Sequence, residues 1–455
     1  MKLYSEDKNY KLYNGSMLDM LEVIDKESID SIITDPPYEL NFMGKGWDNS
    51  GIAFQPDTWK KCYEVLKPGG YLLAFGGSRT FHRIACAIED AGFEIRDTIM
   101  WIYGSGFPKS MNIGLAIDKK NGVESKIIGE RKQTGAKFKL TQELIDNGGF
   151  NDPNRESFTI KEAQNKWQGW GTALKPSFEP IIVARKPFKG SLVDNVIEYG
   201  VGGINIDECR VAFIGNENTL RPLGKSCYQK GNKIVNGGEI TGNHKLYSEI
   251  GGNADKGRFP ANTILTYDET DFDEVCGGFP NTKTGSIKPH KNNANAIVNK
   301  MTSENITSSF NGDSGSASRY FYCAKASKKD RDEGLDEFDQ NKVNDGRNTP
   351  IDNAFQRGET LRRNVHPCVK PANLMQYLVR LVTPNNGTVL DPFNGSGSTG
   401  KAVMYENKER NKNYKYIGIE LTEEYLPISK ARIEYVCNLE PEKDNQTNIY
   451  DFIKD

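Results

Sequence analysis

The sequence has few of the residues that build metal centres and disulfide frameworks. Its 455 residues include four histidines and eight cysteines, and no two of the cysteines form a Cys-x-x-Cys pair. Structural zinc needs ligands at close spacing, and secreted disulfide scaffolds are shorter and denser in cysteine. We therefore expect no metal site, and we expect reduced cysteines in a cytoplasmic protein.

Long apolar runs and an excess of one charge are missing too. No stretch reaches 18 consecutive apolar residues, and the N-terminus has no apolar signal-peptide core, so no membrane partner is expected. Lys and Arg number 59 against 61 Asp and Glu, for a formal net charge of −2. This balance excludes a histone-like blanket of positive charge but leaves open a local basic patch for nucleic acid.

Two parts of the chain alternate between helix-like and strand-like patches. The predicted elements cover residues 58–66, 70–76, 80–91 and 95–103, and then 374–382, 388–390, 399–406 and 414–419. This alternation predicts an α/β fold with a mainly parallel sheet covered by helices. We expect a single domain made of residues 1–185 and 361–455, interrupted by an insert at residues 186–360.

The insert is rich in Gly, Asn and Ser and has uneven charge. Residues 281–329 hold eight Lys and Arg against two acids, and residues 330–340 are strongly acidic. Solvated surface loops are the ordinary explanation of such runs, and composition alone favours it. A patch that faces phosphates is the alternative.

A glycine-rich turn, Asp391-Pro-Phe-Asn-Gly-Ser-Gly-Ser-Thr-Gly400, follows a predicted strand and opens a predicted helix. Its glycines fit the dinucleotide pattern G-x-G-x-x-G and, with Lys401, most of the phosphate loop. Ala402 stands where the phosphate loop needs a hydroxyl for Mg²⁺. A third interpretation is a nucleoside site for S-adenosylmethionine, with Glu420 at the end of the next strand accepting from the ribose hydroxyls. The turn alone leaves these interpretations open.

A second motif, Asp35-Pro36-Pro37-Tyr38, follows the apolar run that ends at Thr34. A rigid turn is its plain interpretation. Its chemistry also suits an exocyclic base amine, a poor nucleophile whose two N–H groups need acceptors. The Asp35 carboxylate and the Pro36 carbonyl would supply these acceptors, and Tyr38 offers a face on which an extruded base can stack.

Together the two motifs resemble those of the amino-group DNA methyltransferases, which modify adenine N6 or cytosine N4. The resemblance implies a Rossmann-like, S-adenosylmethionine-dependent methyltransferase sheet. The catalytic motif comes first and the cofactor motif last, an order that resembles the beta arrangement, in which the insert recognises the target sequence. The catalytic residues that this resemblance implies are Asp35, Pro36, Pro37 and Tyr38.

Further stretches carry the same resemblance. His366-Pro-Cys-Val-Lys-Pro371 resembles the family's HPTxKP stretch, which lies near the methionine end of the cofactor. Residues 106–110, 174–180 and 312–319 resemble a phage and mobile-element subgroup. Ser16 departs from the family, because relatives usually carry an aspartate there. The cofactor-binding residues implied by the resemblance are Asp391, Pro392, Phe393, Gly395, Gly397, Glu420, His366 and Lys370.

We therefore predict a site-specific methyltransferase that forms N6-methyladenine in double-stranded DNA. Asp35 resembles the adenine-modifying majority, whereas cytosine-N4 enzymes more often carry Ser there. Cytosine-N4 methylation stays open and, more distantly, so does a non-catalytic DNA-binding protein or an NAD-binding enzyme. A cognate restriction endonuclease and a homodimer are partners that the sequence leaves open.

Other residues are predicted to contact DNA or the extruded base. Arg319 and Lys325, in the basic part of the insert, are the predicted DNA contacts. Trp101 and Phe107 are candidates for further walls of the base pocket, although a core position is the simpler expectation for Trp101.

Overall fold

The fold was examined in a computed structural model, which describes residues 1–40, 46–103, 110–132, 157–211, 257–266, 281–283, 314–316, 321–323, 330–343 and 360–439. The strands are β1 (Lys2–Asp7), β2 (Tyr10–Asn14), β3 (Ile29–Thr34), β4 (Leu66–Phe75), β5 (Glu94–Tyr103), β6 (Lys126–Lys132), β7 (Ser157–Glu162), β8 (Phe178–Arg185), β9 (Thr263–Thr266), β10 (Asn281–Lys283), β11 (Ser314–Ser316), β12 (Tyr322–Cys323), β13 (Asn341–Val343), β14 (Thr360–Arg362), β15 (Thr388–Asp391) and β16 (Lys415–Glu420).

The α-helices are α1 (Pro56–Val65), α2 (Phe81–Asp90), α3 (Ile113–Lys120), α4 (Leu192–Tyr199), α5 (Ala372–Val382), α6 (Ser398–Glu409) and α7 (Leu426–Asn438). Short 3₁₀ turns cover Met17–Glu22, Gly46–Asn49, Ile52–Phe54, Asp207–Cys209 and Glu423–Tyr425. Within the described ranges, no helix has the length and apolar character needed to cross a membrane.

A ten-stranded sheet forms the centre of the described structure, in the order β1-β2-β16-β15-β3-β4-β8-β5-β9-β12. Strands β2, β16, β15, β3 and β4 are mutually parallel. Strand β8 is antiparallel to both of its neighbours, β4 and β5, so the sheet is mixed. The predicted α/β fold with a mainly parallel sheet is confirmed.

The two ends of the chain build one sheet. The C-terminal strands β15 and β16 lie between the N-terminal strands β2 and β3. Strands β9 and β12, from the predicted insert, add to the far edge by parallel pairing beyond β5. Part of residues 186–360 therefore continues the central sheet, while the division at 185 and 360 stays a prediction.

Helices cover both faces of this sheet. The buried strand β4 shows the two layers, because its successive side chains point to opposite faces. Leu73 and Phe75 join a cluster that contains residues of α5, α6 and α7. Leu72 and Ala74 join a second cluster that contains residues of α1 and α2. Burial on both faces explains why the β4 sequence is a continuous apolar run rather than an alternating one.

The acidic run at residues 330–340 was expected to be a solvated loop, and that expectation is wrong for part of it. Asp330 is buried, and its Oδ1 lies 2.7 Å from Nζ of the fully buried Lys401. Its main-chain carbonyl accepts a hydrogen bond from the buried Arg432. Leu335 packs in a small core with Tyr425 and Ile428. Buried cations need a carboxylate nearby, and only the outer acids, Asp336, Glu337 and Asp339, are exposed.

A buried ion pair joins α5 to α6. Arg380 donates two hydrogen bonds to Glu406, at 2.5 Å and 3.2 Å, and the Glu406 side chain is fully buried. Such pairs contribute little net stability compared with an apolar pair of similar volume. Removal of one partner, however, leaves the other as a buried charge without a counter-charge.

We therefore expect Glu406→Met to lower the free energy of unfolding by about 3–5 kcal/mol. The double variant Arg380→Met/Glu406→Met should recover much of this loss, because no charge is then left buried. Urea unfolding of the three proteins measures both effects. A double variant less stable than the single variant would contradict this account.

Candidate functional site at the carboxyl edge of the sheet

A cavity of about 920 Å³ opens where the parallel strands end. Its lining includes the segments that follow β3, β15 and β16. Because these strands are parallel neighbours, their carboxyl ends share one edge of the sheet, which is where ligands bind in open α/β folds. The two sequence motifs therefore meet in one cavity although they lie far apart along the chain.

The two oxygens of Asp35 have different surroundings. Lys370 Nζ lies 2.5 Å from Asp35 Oδ2. The other oxygen, Asp35 Oδ1, is buried and has no hydrogen-bond partner among the described residues. Buried acceptors are nearly always paired in folded proteins. Asp35 therefore lines the cavity with a carboxylate that has one oxygen paired to Lys370 and the other unsatisfied among the described residues.

Lys370 is a fixed cation at the centre of this group. Burial lowers its pKa, but the Asp35 and Glu179 carboxylates raise it more, so the net pKa lies above the ordinary value. Its ammonium is 3.5 Å from Glu179 Oε2 and lies over the rings of Tyr38 and Phe75, at 5.3 Å and 4.9 Å from their centroids. Two carboxylates and two aromatic faces thus hold one charge in place.

Glu179 organises the aromatic wall of the cavity. Tyr38 donates its hydroxyl hydrogen to Glu179 Oε2 at 2.8 Å, and Tyr103 donates to Oε1 at 3.3 Å. Burial raises the pKa of Tyr38 well above its ordinary value, and the nearby Asp35 and Glu179 raise it further. Tyr38 is therefore a neutral donor whose ring orientation is fixed by the carboxylate.

The glycine-rich turn between β15 and α6 has a conformation that requires glycine. Gly395 and Gly397 have φ of +51° and +75°, in the left-handed region. A Cβ at Gly395 would lie 2.9 Å from Nε2 of His366, and one at Gly397 would lie 2.5 Å from Oγ of Ser429. The turn can therefore lie directly against both neighbours.

Glu420, at the end of β16, braces this turn. Its Oε2 accepts from the Gly395 amide and its Oε1 from the Thr422 amide, both at 2.7 Å. Burial raises its pKa, and these backbone hydrogen bonds act in the opposite direction. The Thr422 hydroxyl and the Leu421 amide also lower its pKa by hydrogen bonding, so Glu420 is a carboxylate surrounded by donors of its own chain.

His366 lies beside the turn as a neutral ring. Its imidazole makes an edge contact with Tyr425, with ring centroids 4.5 Å apart, and Nδ1 lies 2.5 Å from the Cys368 carbonyl oxygen. Burial lowers the pKa of His366 to about 4. The ring is therefore uncharged near neutral pH.

Asp391 links the two motifs directly. Its carboxylate accepts hydrogen bonds from the hydroxyl groups of Thr34 and Thr399, each at 2.6 Å, and from the Phe393 amide at 3.1 Å. Thr34 immediately precedes Asp35, and Thr399 lies in the first turn of α6. Burial raises the pKa of Asp391 to about 6, because desolvation outweighs these hydrogen bonds.

Most of the predicted site residues line this one cavity. They are Asp35, Pro36, Pro37, Tyr38, His366, Lys370, Asp391, Pro392, Phe393, Gly395 and Glu420. Gly397 is not in the lining and instead caps α6 against Ser429. Trp101 is a core residue whose indole donates to Thr266. Phe107, Arg319 and Lys325 lie outside the described residues.

Glu179 and Ser16 line the cavity as well, although the sequence had assigned neither to the site. Glu179 belongs to the stretch 174–180, which carried only a family resemblance. Since β8 is antiparallel, its first residues reach the edge where the parallel strands end. Ser16 was set aside as a departure, yet it lines the cavity, and its hydroxyl accepts from the Leu18 amide at the start of a 3₁₀ turn.

Comparison with known proteins gives a match over most of the chain. The family model N6_N4_Mtase, described as DNA methylase, matches residues 29–431. The type II methyltransferase M.HindIII of Haemophilus influenzae is 22% identical over 236 residues, which are 43% of this chain and 64% of that protein, slightly less than two thirds of its length. The type II methyltransferase M2.LlaDCHI of Lactococcus lactis is 25% identical over 254 residues, 50% of this chain and 93% of that protein.

Solved structures resemble the chain only weakly. The PvuII DNA methyltransferase, titled cytosine-N4-specific, aligns at 13% identity with a TM-score of 0.39, covering 97% of this chain and 91% of its own. A score this low supports no conclusion about this chain.

The raised pKa of Asp391 gives a stability prediction. The unfolded pKa of an aspartate is about 3.9, below the folded value of about 6. The folded state thus holds the proton more tightly. The resulting stabilisation is full below about pH 4 and is lost as the pH rises through about 6. The free energy of unfolding of Asp391→Asn, compared with that of wild type at the same pH, should therefore increase by on the order of 2–3 kcal/mol from pH 4 to pH 7.

Urea unfolding of both proteins across this pH range gives that difference. Only the difference is diagnostic, since His366 has a lowered pKa and changes stability in the opposite sense in both proteins. A difference that stays constant with pH would show that Asp391 is already ionised in the folded state.

Proposed function

The chain belongs to the DNA methylase family that acts on N6 and N4 amino groups, and from this premise we propose that it methylates N6 of adenine in double-stranded DNA. Its cofactor is S-adenosyl-L-methionine. The observation that carries the catalytic proposal is the unpaired Oδ1 of Asp35, in a carboxylate whose other oxygen is held by Lys370.

Asp35 acts on the base amine as an oriented acceptor. Oδ1 accepts one amine N–H, and the Pro36 carbonyl accepts the other, which turns the nitrogen lone pair away from both. S-adenosyl-L-methionine, held by the glycine-rich turn and Glu420, would supply an electrophilic methyl group to this nitrogen, and its sulfur would keep the electron pair of the broken carbon–sulfur bond. The amine then releases a proton, and Oδ1 is its nearest acceptor. Position and orientation supply most of the rate enhancement.

Lys370 and Glu179 keep this acceptor and the base wall in position. Lys370 pins Asp35 Oδ2, so the carboxylate has little freedom to rotate away from the amine. Glu179 holds the hydroxyl of Tyr38, and the fixed Tyr38 ring offers its face to an extruded base. These contacts preorganise the site before substrate arrives.

The glycine-rich turn and its neighbours suit the cofactor. Gly395 has no side chain, so the backbone of the turn lies directly against His366. Glu420, in the cavity lining at the end of β16, would accept from the ribose hydroxyls. His366 is neutral at physiological pH and would not repel the positive sulfonium. The positive charge of Lys370 is compensated by the adjacent carboxylate of Asp35.

The remaining expectations stand as parts of the same proposal. Residues 186–360 would contain the target-recognition region, and Arg319 and Lys325 would contact DNA there. A restriction endonuclease partner and a homodimer remain options. Adenine is favoured over cytosine by the aspartate at position 35. Cytosine N4 remains the alternative, because the same acceptors would hold its amine.

We expect Asp35→Ala to lower kcat by at least about 10²-fold, as for the loss of one preorganised transition-state contact. Cofactor affinity should fall far less than kcat, because Glu179 Oε2 still lies 3.5 Å from Lys370 Nζ and compensates its charge. Radiolabelled methyl transfer and calorimetric titration measure the two effects. Asp25→Ala is the control, because that exposed acid lies outside the cavity lining. A wild-type rate for Asp35→Ala would refute the mechanism.

The modified base can be identified directly. DNA from a host that expresses the protein should contain N6-methyladenine at a defined sequence, and host DNA with the Asp35→Ala variant should lack it. Nucleoside digestion with mass spectrometry identifies the base, and modification-aware sequencing gives its position. Detection of N4-methylcytosine alone would overturn the assignment of adenine as the target base, but it would agree with the assignment of the chain to its family.

A further inference from the structure

A leucine stands almost fully exposed in the lining of the cavity that holds Asp35 and Tyr38. Leu174 is 93% exposed, the highest value among the large apolar side chains of the described residues. Single exposed apolar residues are common and need no explanation by themselves. Its position is what matters, since it lies in the same lining as the catalytic motif rather than on a remote surface.

The segment that carries Leu174 is fixed by hydrogen bonds. The Ser110 hydroxyl accepts from the amides of Thr172 and Ala173, at 2.9 Å and 3.2 Å. The Met111 amide donates to the Thr172 hydroxyl at 2.9 Å. An isolated bridge joins Asn112 to Gly171 just before this segment. Leu174 is therefore exposed at the end of the segment 171–174, which these contacts hold in place and which we call the anchored turn.

Other side chains near the turn suit a nucleic-acid partner. Trp170 is 59% exposed and packs edge-on against Trp167, with ring centroids 5.1 Å apart. The exposed Arg79 lies in the same cavity lining as Leu174. Apolar and aromatic side chains together with a cation fit bases and phosphates better than they fit an apolar protein face.

We propose that Leu174 inserts into the DNA duplex and fills the space that the target base leaves when it enters the cavity. This inference rests on the proposed DNA methylation. An extruded base breaks its stacking on both sides and leaves a gap in the helix. An apolar wedge that fills the gap stabilises the open state, and proteins use leucine in this way at base steps. The anchored turn places such a wedge beside the site that receives the base.

The wedge makes a prediction that depends on the substrate. On an unmethylated duplex with the target sequence found by sequencing, Leu174→Ala should lower kcat/KM by about 10- to 100-fold. On the same duplex with a pyrene nucleotide opposite the target base, the large planar pyrene ring fills the gap in place of the leucine. There the two proteins should differ by less than about threefold. Cofactor binding, measured by calorimetry, should be unchanged.

A matched control separates this effect from general loss of exposed apolar surface. Ile127, on β6, is 61% exposed and lies outside both the cavity lining and residues 186–360. Ile127→Ala should match wild type on both duplexes. An equal loss for Leu174→Ala on both duplexes, or no loss on either, would overturn the proposal.

Two further outcomes are distinguishable. If Leu174→Ala changes the sedimentation of the free protein from dimer to monomer and shows no substrate dependence, the turn is a contact between copies and the wedge is wrong. If the wild-type protein methylates neither duplex, the proposed function itself fails, whatever Leu174 does.

Discussion

The parallel pairing of β3 with β15 is the constraint on which the site depends. It joins the first part of the chain to the last, and it brings the ends of both strands to one edge of the sheet. The Asp391 carboxylate strengthens this junction through Thr34 at the end of β3 and Thr399 at the start of α6. One buried acid thus sets the turn at Asp35 and the glycine-rich turn relative to each other, so a shift of either turn would disturb both.

Buried charges organise the protein more than they stabilise it. Lys370 is held between Asp35 and Glu179 in the cavity, and Lys401 is held by Asp330 behind the glycine-rich turn. The Coulomb attraction in such pairs is largely offset by desolvation, so their net contribution to stability is small. Their value is geometric, since a buried cation tolerates few positions other than the one where its carboxylates lie. In the cavity this fixes Asp35 Oδ2, while Oδ1 has no hydrogen-bond partner among the described residues.

The junction near Asp330 connects the region before β13 to the cofactor turn. Asp330 contacts Lys401 and Arg432, and Arg432 also donates to the carbonyl and hydroxyl groups of Ser396 within the turn. A chain segment from the predicted insert therefore braces the backbone that is proposed to hold the cofactor. This arrangement would let the insert and the cofactor turn influence each other through a shared buried network.

The sequence by itself determined the α/β class, the order of the two motifs and eleven of the residues that line the cavity, because those features are carried by local patterns. Pro36 and Pro37 end a strand, glycines shape a turn, and apolar periodicity marks helices and strands. The tertiary structure alone decided the surroundings of Glu179, Asp330 and Leu174. Glu179 reaches the site because β8 runs antiparallel, and Asp330 is buried beside Lys401 and Arg432. Leu174 is exposed in the cavity lining directly after two residues that are hydrogen-bonded to Ser110. Each depends on contacts between residues distant in sequence, which no local pattern encodes.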